Sequence, residues 1–144
     1  MATDRRANVR WSGSLTEGSG TIRSTTSGAF GDLPVSWAAR SEDETGGKTS
    51  PEELIAAAHA ACFSMALSAG LARGDTPPDE LNTSATVTFQ PGEGIVKIAL
   101  AVEVSVPGID ADAFRKAAEA AKAGCPVSKA LASVPEITLD ARLR

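Results

Sequence analysis

Ser50-Pro51-Glu52-Glu53-Leu54-Ile55-Ala56-Ala57-Ala58-His59-Ala60-Ala61-Cys62-Phe63-Ser64-Met65-Ala66-Leu67-Ser68-Ala69-Gly70-Leu71 decides the fold. It opens as a helix start. Ser50 can serve as N-cap, Pro51 suits the first helical position, where no N–H is needed, and Glu53 at N3 completes a capping box. Arg73-Gly74 supplies a basic last turn and a stop, so the helix runs to about Leu71. Leu54, Ile55, Phe63, Met65, Leu67 and Leu71 share it with seven alanines. Apolar residues on nearly every side predict a helix buried on nearly every side. In a chain of 144 residues this calls for a sheet on one side and another surface opposite, read as a partner chain.

The flanking segments alternate as strands do. Val9, Trp11 and Leu15 fall on odd positions, Glu17-Gly18-Ser19-Gly20 signals a turn, and Thr21–Thr26 can return as a hairpin. Leu33, Val35, Trp37 and Ala39 predict a third strand, with Pro34 confining it to an edge. Polar Ser41–Thr49 is a loop. Beyond Pro77-Pro78, Ala85, Val87 and Phe89 alternate, then Gln90-Pro91-Gly92-Glu93-Gly94 turns. Ile98, Leu100, Val102, Val104 and Val106 alternate without error until Pro107-Gly108. Asp110 can cap a helix to about Ala123, with Phe114, Ala117, Ala118 and Ala121 as its apolar stripe and Gly124 at its C′ position. A short helix from Pro126 to about Leu131 follows, and Ile137, Leu139, Ala141 and Leu143 form a closing strand. The expectation is one domain over residues 1–144.

Composition narrows the function. Aromatics are 4% of the residues, so alanine must fill much of the core and helices must pack closely. The net charge is −4 and no dense Lys/Arg run occurs, which disfavours nucleic acid. Two cysteines and one histidine are too few for a four-ligand zinc site or a disulfide framework. Met1–Arg10 is polar and lacks the apolar run of a secretory signal, and Leu54–Leu71, interrupted by His59, Ser64 and Ser68, is too alanine-rich for a membrane span. The expected compartment is the cytoplasm, where thiols stay reduced.

Any chemistry therefore falls to two thiols, one imidazole or charged groups. Cys62 lies mid-helix, where a small core hydrophobe is the plain reading. Cys125, held by Gly124 and Pro126 between two helices, sits where exposed N–H groups favour a thiolate. Together they are the minimum equipment of a disulfide-forming cycle. Their 63-residue separation excludes a Cys-x-x-Cys motif. His59, three residues before Cys62, can share its face as a base, or be an imidazole satisfied by a neighbouring backbone or carboxylate group. Glu52 has a structural reading at N2. Ten residues of helix place it about 15 Å from Cys62, so the two could meet only across an antiparallel, two-fold pair of chains. Arg10, Arg23 and Arg40 lie on or beside the first strands; each is a solvated strand end or a cation facing a thiolate.

Pro51–Ser68 closely resembles the peroxidatic helix of the OsmC/Ohr family of thiol peroxidases, and Lys122-Ala123-Gly124-Cys125-Pro126-Val127-Ser128 resembles its resolving-cysteine segment. Val104-Ser105-Val106-Pro107-Gly108-Ile109-Asp110 is similar to its strand-to-helix junction. The likeness covers nearly the whole chain and favours the OsmC branch, since the turn where Ohr members carry an arginine reads Gly18-Ser19-Gly20. It implies an α+β fold with antiparallel sheets packed around a long central helix, an intertwined homodimer, and reduction of organic hydroperoxides without cofactor or metal. On the same footing it implies that Cys62 is the peroxidatic thiolate and Cys125 its disulfide partner. Arg40 would lower the Cys62 pKa, Glu52 would orient Arg40, and a dithiol, lipoyl-type in Ohr members, would be the reductant. Phe63, Met65 and Leu54 are candidates for an apolar surround at Cys62. The competing readings are a thiol sensor or binding protein without turnover, and a Cys62/His59 thiol hydrolase.

Overall fold

The computed structural model describes residues 1–144, which fall into two compact units, Met1–Pro51 and Glu52–Arg144. The first unit holds a three-stranded antiparallel sheet, β1 (Ala7–Ser12), β2 (Ser19–Thr25) and β3 (Leu33–Val35), in the order β1-β2-β3. Pro34 lies on the edge strand, as expected, because it has no N–H to give a ladder. The hairpin turn occupies residues 13–18, so Ser19 and Gly20, read as turn residues, are strand. Gly20 has to be glycine. A Cβ there would come within 2.7 Å of the Trp11 ring and 2.8 Å of the Val35 methyl. Every residue of β1 is exposed, including Val9 and Trp11.

The third strand is shorter than the alternation predicted. It stops at Val35, and Trp37–Ser41 form a helical turn, α1. The cause is Ser36, whose hydroxyl accepts from the Ala39 N–H at 3.2 Å and caps a helix. Local side-chain capping here overrides period-2 patterning. Arg40 therefore sits in the last turn of a helix and does not end a strand.

The second unit is built on the long helix α2 (Pro51–Arg73), which starts at the predicted proline with Glu52 and Glu53 in its first turn. Its end is a Schellman motif. Thr76 N–H bonds the Leu71 carbonyl and Asp75 N–H bonds that of Ala72. The left-handed residue is Asp75, at φ 58°, and not the predicted Gly74.

A hairpin follows, β4 (Glu80–Gln90) with β5 (Gly94–Ser105), then helices α3 (Ala111–Gly124) and α4 (Pro126–Ala130), then β6 (Glu136–Leu143). Asp110 caps α3 through Ala113 N–H at 2.8 Å. Strand order is β4-β5-β6, but β6 runs parallel to β5. The expected all-antiparallel sheet is thus mixed, because the α3–α4 segment works as a crossover connection. Ile98, Leu100, Val102 and Val104 point to the core, as their alternation predicted. The last three close it with Phe63, Leu67 and Leu71 of α2 and Phe114, Ala118 and Ala121 of α3. Burying each large side chain stabilises the unit by roughly 1.5–3 kcal/mol.

By length and composition alone α2 could cross a membrane, with a hydropathy of 1.7 over its most apolar window. Here it is a core helix on one side only. Glu52, His59, Phe63, Leu67 and Leu71 are buried, while Ala57, Ala61, Met65 and Ala69 are bare, Met65 at 71%. Burial on nearly every side, expected from sequence, is not met within one chain.

Candidate active site

Three elements of the second unit converge on the thiols. Cys62 comes from the middle of α2, partly exposed; Cys125 comes from the joint of α3 and α4, fully buried. Gly124 is the last residue of α3, not its C′ residue; Cys125 itself is the C-cap of α3 and the N-cap of α4. Its N–H closes α3 on the Ala121 carbonyl at 2.8 Å, and its carbonyl accepts from Lys129 N–H at 3.0 Å to open α4. Pro126 suits the first position of α4, where a missing N–H costs nothing. The backbone of Cys125 is thereby pinned on both sides.

The two sulfurs lie 3.0 Å apart, and both thiols are free. A disulfide bond is about 2.0 Å, so closure needs an approach of only about 1 Å. Burial pushes the Cys62 thiol up, and the hydrogen bond with Cys125 and the charge on that sulfur add to the rise; the Val127 N–H opposes it. Burial also pulls Cys125 upward, but other groups outweigh it. The bond with Cys62, the N–H groups of Ser128 and Val127 and the Ser128 hydroxyl together leave Cys125 below its ordinary value. Access and acidity are thus divided: Cys62 is partly exposed, while the surroundings within this unit favour a thiolate on the buried Cys125.

His59 lies one turn before Cys62 and is fully buried. Its Nε2 is 2.7 Å from the Ser128 hydroxyl of α4, and its Nδ1 is buried without a partner. Burial lowers its pKa. The imidazole's partner is therefore a hydroxyl, on Nε2 alone, not the backbone or carboxylate group that the sequence suggested. Ser128 was missed as a functional residue. Its signal was its place three residues after Cys125, where a helix's first turn faces its own N-cap.

Of the remaining site residues, Glu52 is 6% exposed in the first turn of α2 and ten residues from Cys62 along the same helix. The helix does not bring them together. Arg40 belongs to the other unit, where its guanidinium carbon stands 6.0 Å from the Trp37 ring centroid, one helical turn away. Arg10 is on β1 and Arg23 on β2. Phe63 is a core residue with no exposure, so of the three candidates for an apolar surround it faces inward, while Met65 is exposed and Leu54 half-buried. No three His, Cys, Asp or Glu side chains gather anywhere as a metal-binding group.

An α+β scaffold that holds two free thiols 3.0 Å apart defines the class: a protein with a paired-thiol site. The chain belongs to the OsmC-like protein family, whose pattern it matches over residues 43–140. It is 46% identical to peroxiredoxin OsmC of Escherichia coli (strain K12) over 147 aligned positions, covering 100% of this chain and 99% of that one. An organic hydroperoxide resistance protein of Xanthomonas axonopodis pv. citri is 32% identical over 65% of this chain and 67% of its own length. Among solved structures, organic hydroperoxide resistance protein OhrB of Bacillus subtilis aligns with a TM-score of 0.60 at 25% identity, covering 96% of this chain and 98% of that one. An OsmC-like protein of unknown function from Vibrio cholerae reaches a TM-score of 0.73 at 15% identity, over 97% and 99% of the two chains, a likeness of fold alone.

Proposed function

We propose that this protein is a cysteine-based peroxidase that reduces organic hydroperoxides to alcohols in the cytoplasm, in defence against oxidative or osmotic stress. The observation that carries the reading is the 3.0 Å separation of a reachable Cys62 sulfur from a sealed Cys125 sulfur. The Cys62 thiolate attacks the terminal peroxide oxygen; the O–O bond breaks and an alkoxide leaves, taking a proton as the alcohol. Cys62 becomes a sulfenic acid. Cys125 then displaces its oxygen as water and forms the disulfide, which a dithiol, lipoyl-type or similar, reduces again.

Burial and the neighbouring sulfur hold the Cys62 proton on, and a cation beside the thiolate would oppose them. Arg40 is the proposed one, lowering the Cys62 pKa and stabilising the departing oxygen, with Glu52 orienting it. The chain works as a homodimer with all of residues 1–144 acting as one domain. Support comes from the bare stripe Ala57, Ala61, Met65 and Ala69 on α2, where three alanines allow a second helix to approach closely and Met65 offers it an apolar contact. The exposed Val9 and Trp11 of β1 add to it. The occupation of His59 Nε2 by Ser128 weighs against a thiol hydrolase that uses this imidazole as base.

The test is consumption of cumene hydroperoxide with a dithiol reductant. Many turnovers per protein, abolished in Cys62→Ser, are expected. A single oxidation without turnover makes the protein a sensor, and turnover retained in Cys62→Ser removes the assignment.

A further inference from the structure

The His59–Ser128 pair lies outside the steps above, yet it is buried, and its serine shares the first turn of α4 with the second thiol. Its hydrogen bonds have a polarity that can be worked out. A serine hydroxyl has one proton to give, and a neutral imidazole has one N–H. Nδ1 of His59 is buried and meets no partner. A proton there would be an unsatisfied buried donor, rarer and costlier than a bare lone pair. The proton therefore belongs on Nε2, which donates to the Ser128 oxygen across 2.7 Å. The hydroxyl proton of Ser128 is then free to point elsewhere. Cys125 is the N-cap three residues earlier in the same first turn of α4, and as Ser128 meets His59, so Cys125 meets Cys62 one turn along α2, which sets the buried hydroxyl beside the buried sulfur.

Resting on the peroxidase reading, we propose that Ser128, oriented by His59, is a positioning group for the second thiol: it hydrogen-bonds the Cys125 sulfur as a thiolate and holds it aimed at Cys62, so that disulfide closure outruns over-oxidation. The step served is the second one. The Cys125 sulfur supplies an electron pair to the sulfur of the Cys62 sulfenic acid, and the S–O bond breaks. The oxygen leaves as hydroxide and takes up the proton that Cys125 had shed, so one water is released. The Cys125 sulfur is oxidised and the sulfenic sulfur reduced. His59 moves no proton in this scheme. Its burial keeps the ring neutral, and its service is to fix the direction of the hydroxyl.

The experiment follows one equivalent of cumene hydroperoxide through sulfenic acid formation and disulfide closure by stopped flow on the full chain. Ser128→Ala is expected to leave the first phase unchanged and slow the second about tenfold, the worth of one hydrogen bond to a charged group. By mass spectrometry the peroxide dose that gives a sulfinic acid on Cys62 falls by a similar factor. Ser128→Thr keeps the hydroxyl and restores closure. His59→Phe, which fills the same space without a donor, slows closure as Ser128→Ala does, and the double variant is no slower than either.

Two readouts stand apart from peroxide chemistry. Nitrogen NMR of the single histidine should report a protonated Nε2 and a bare Nδ1. In a Cys62→Ser background, thiolate absorbance should show the Cys125 titration displaced upward by Ser128→Ala. Unaltered closure together with an unmoved Cys125 titration overturns the proposal, as does a proton on Nδ1. A native protein that never consumes peroxide overturns the peroxidase reading instead, and the NMR and titration results still decide the Ser128 contact.

Discussion

The middle of α2 and the joint between α3 and α4 each present one thiol, and they treat it in opposite ways. At Cys62 the sulfur is reachable, but burial and its neighbour hold the proton on. At Cys125 the sulfur is sealed, but amide and hydroxyl donors draw the proton off. A single cysteine with both access and a crowd of donors would be a strong nucleophile open to every oxidant and every stray thiol. Dividing the two properties leaves a first thiol that is partly exposed but held protonated, and a second that is buried against it among donors.

The sharpest way to break this contrast is to remove the reachable thiol. Cys62→Ser should lower hydroperoxide turnover on the order of a thousandfold or more, measured with a dithiol reductant in excess. Cys125→Ser should spare the first oxidation but cost about a hundredfold in sustained turnover, because closure loses its intramolecular partner; mass spectrometry should find sulfinic acid on Cys62. Arg40→Ala tests the outside cation. Turnover should fall about tenfold, and the pH at which Cys62 becomes alkylated should rise, since burial then outweighs the Val127 N–H.

The link between the two regions can be tested by acid. His59 is the sole histidine, and burial depresses its folded pKa. The unfolded chain therefore binds the proton first, and the stability it contributes is present above pH 6.5 and lost as pH falls below it. Urea unfolding between pH 7.5 and 5.5 should show a loss of at most about 1.4 kcal/mol per pH unit, and His59→Phe should flatten it. The smallest effect serves as a control. Asp110→Ala removes the cap of α3 far along the chain from either thiol, and should cost about 1 kcal/mol of stability with the rates of both oxidation phases kept.

Much of this was legible in the residues. The start of α2 at Pro51, the alternation of Ile98 through Val104 and the Asp110 cap are local signals, and local signals survive folding. The Cys62–Cys125 pairing was legible only through family resemblance, because 63 residues of sequence separation carry no information on distance. The strand assigned to Trp37 and Ala39 failed because Ser36 caps a helix, a choice that the alternating pattern conceals. The parallel seat of β6 was unreadable because its own alternation looks the same in either direction. Ser128 escaped notice because its place three residues after Cys125 gains meaning only when its partner, 69 residues earlier, is seen beside it.

The crossover that seats β6 beside β5 also orders events in time. The β4–β5 hairpin closes a short loop and can form early, whereas β5–β6 pairing waits for a long one. Cys125 rides on that long connection, so it reaches Cys62 late. A chain emerging from synthesis thus carries Cys62 without its guardian until the last strand docks. Pulsed alkylation during refolding should find Cys125 labelled after the hairpin amides are already protected; protection of both at once would overturn this order. The expected consequence is an interval of folding in which Cys62 is present without a second thiol beside it.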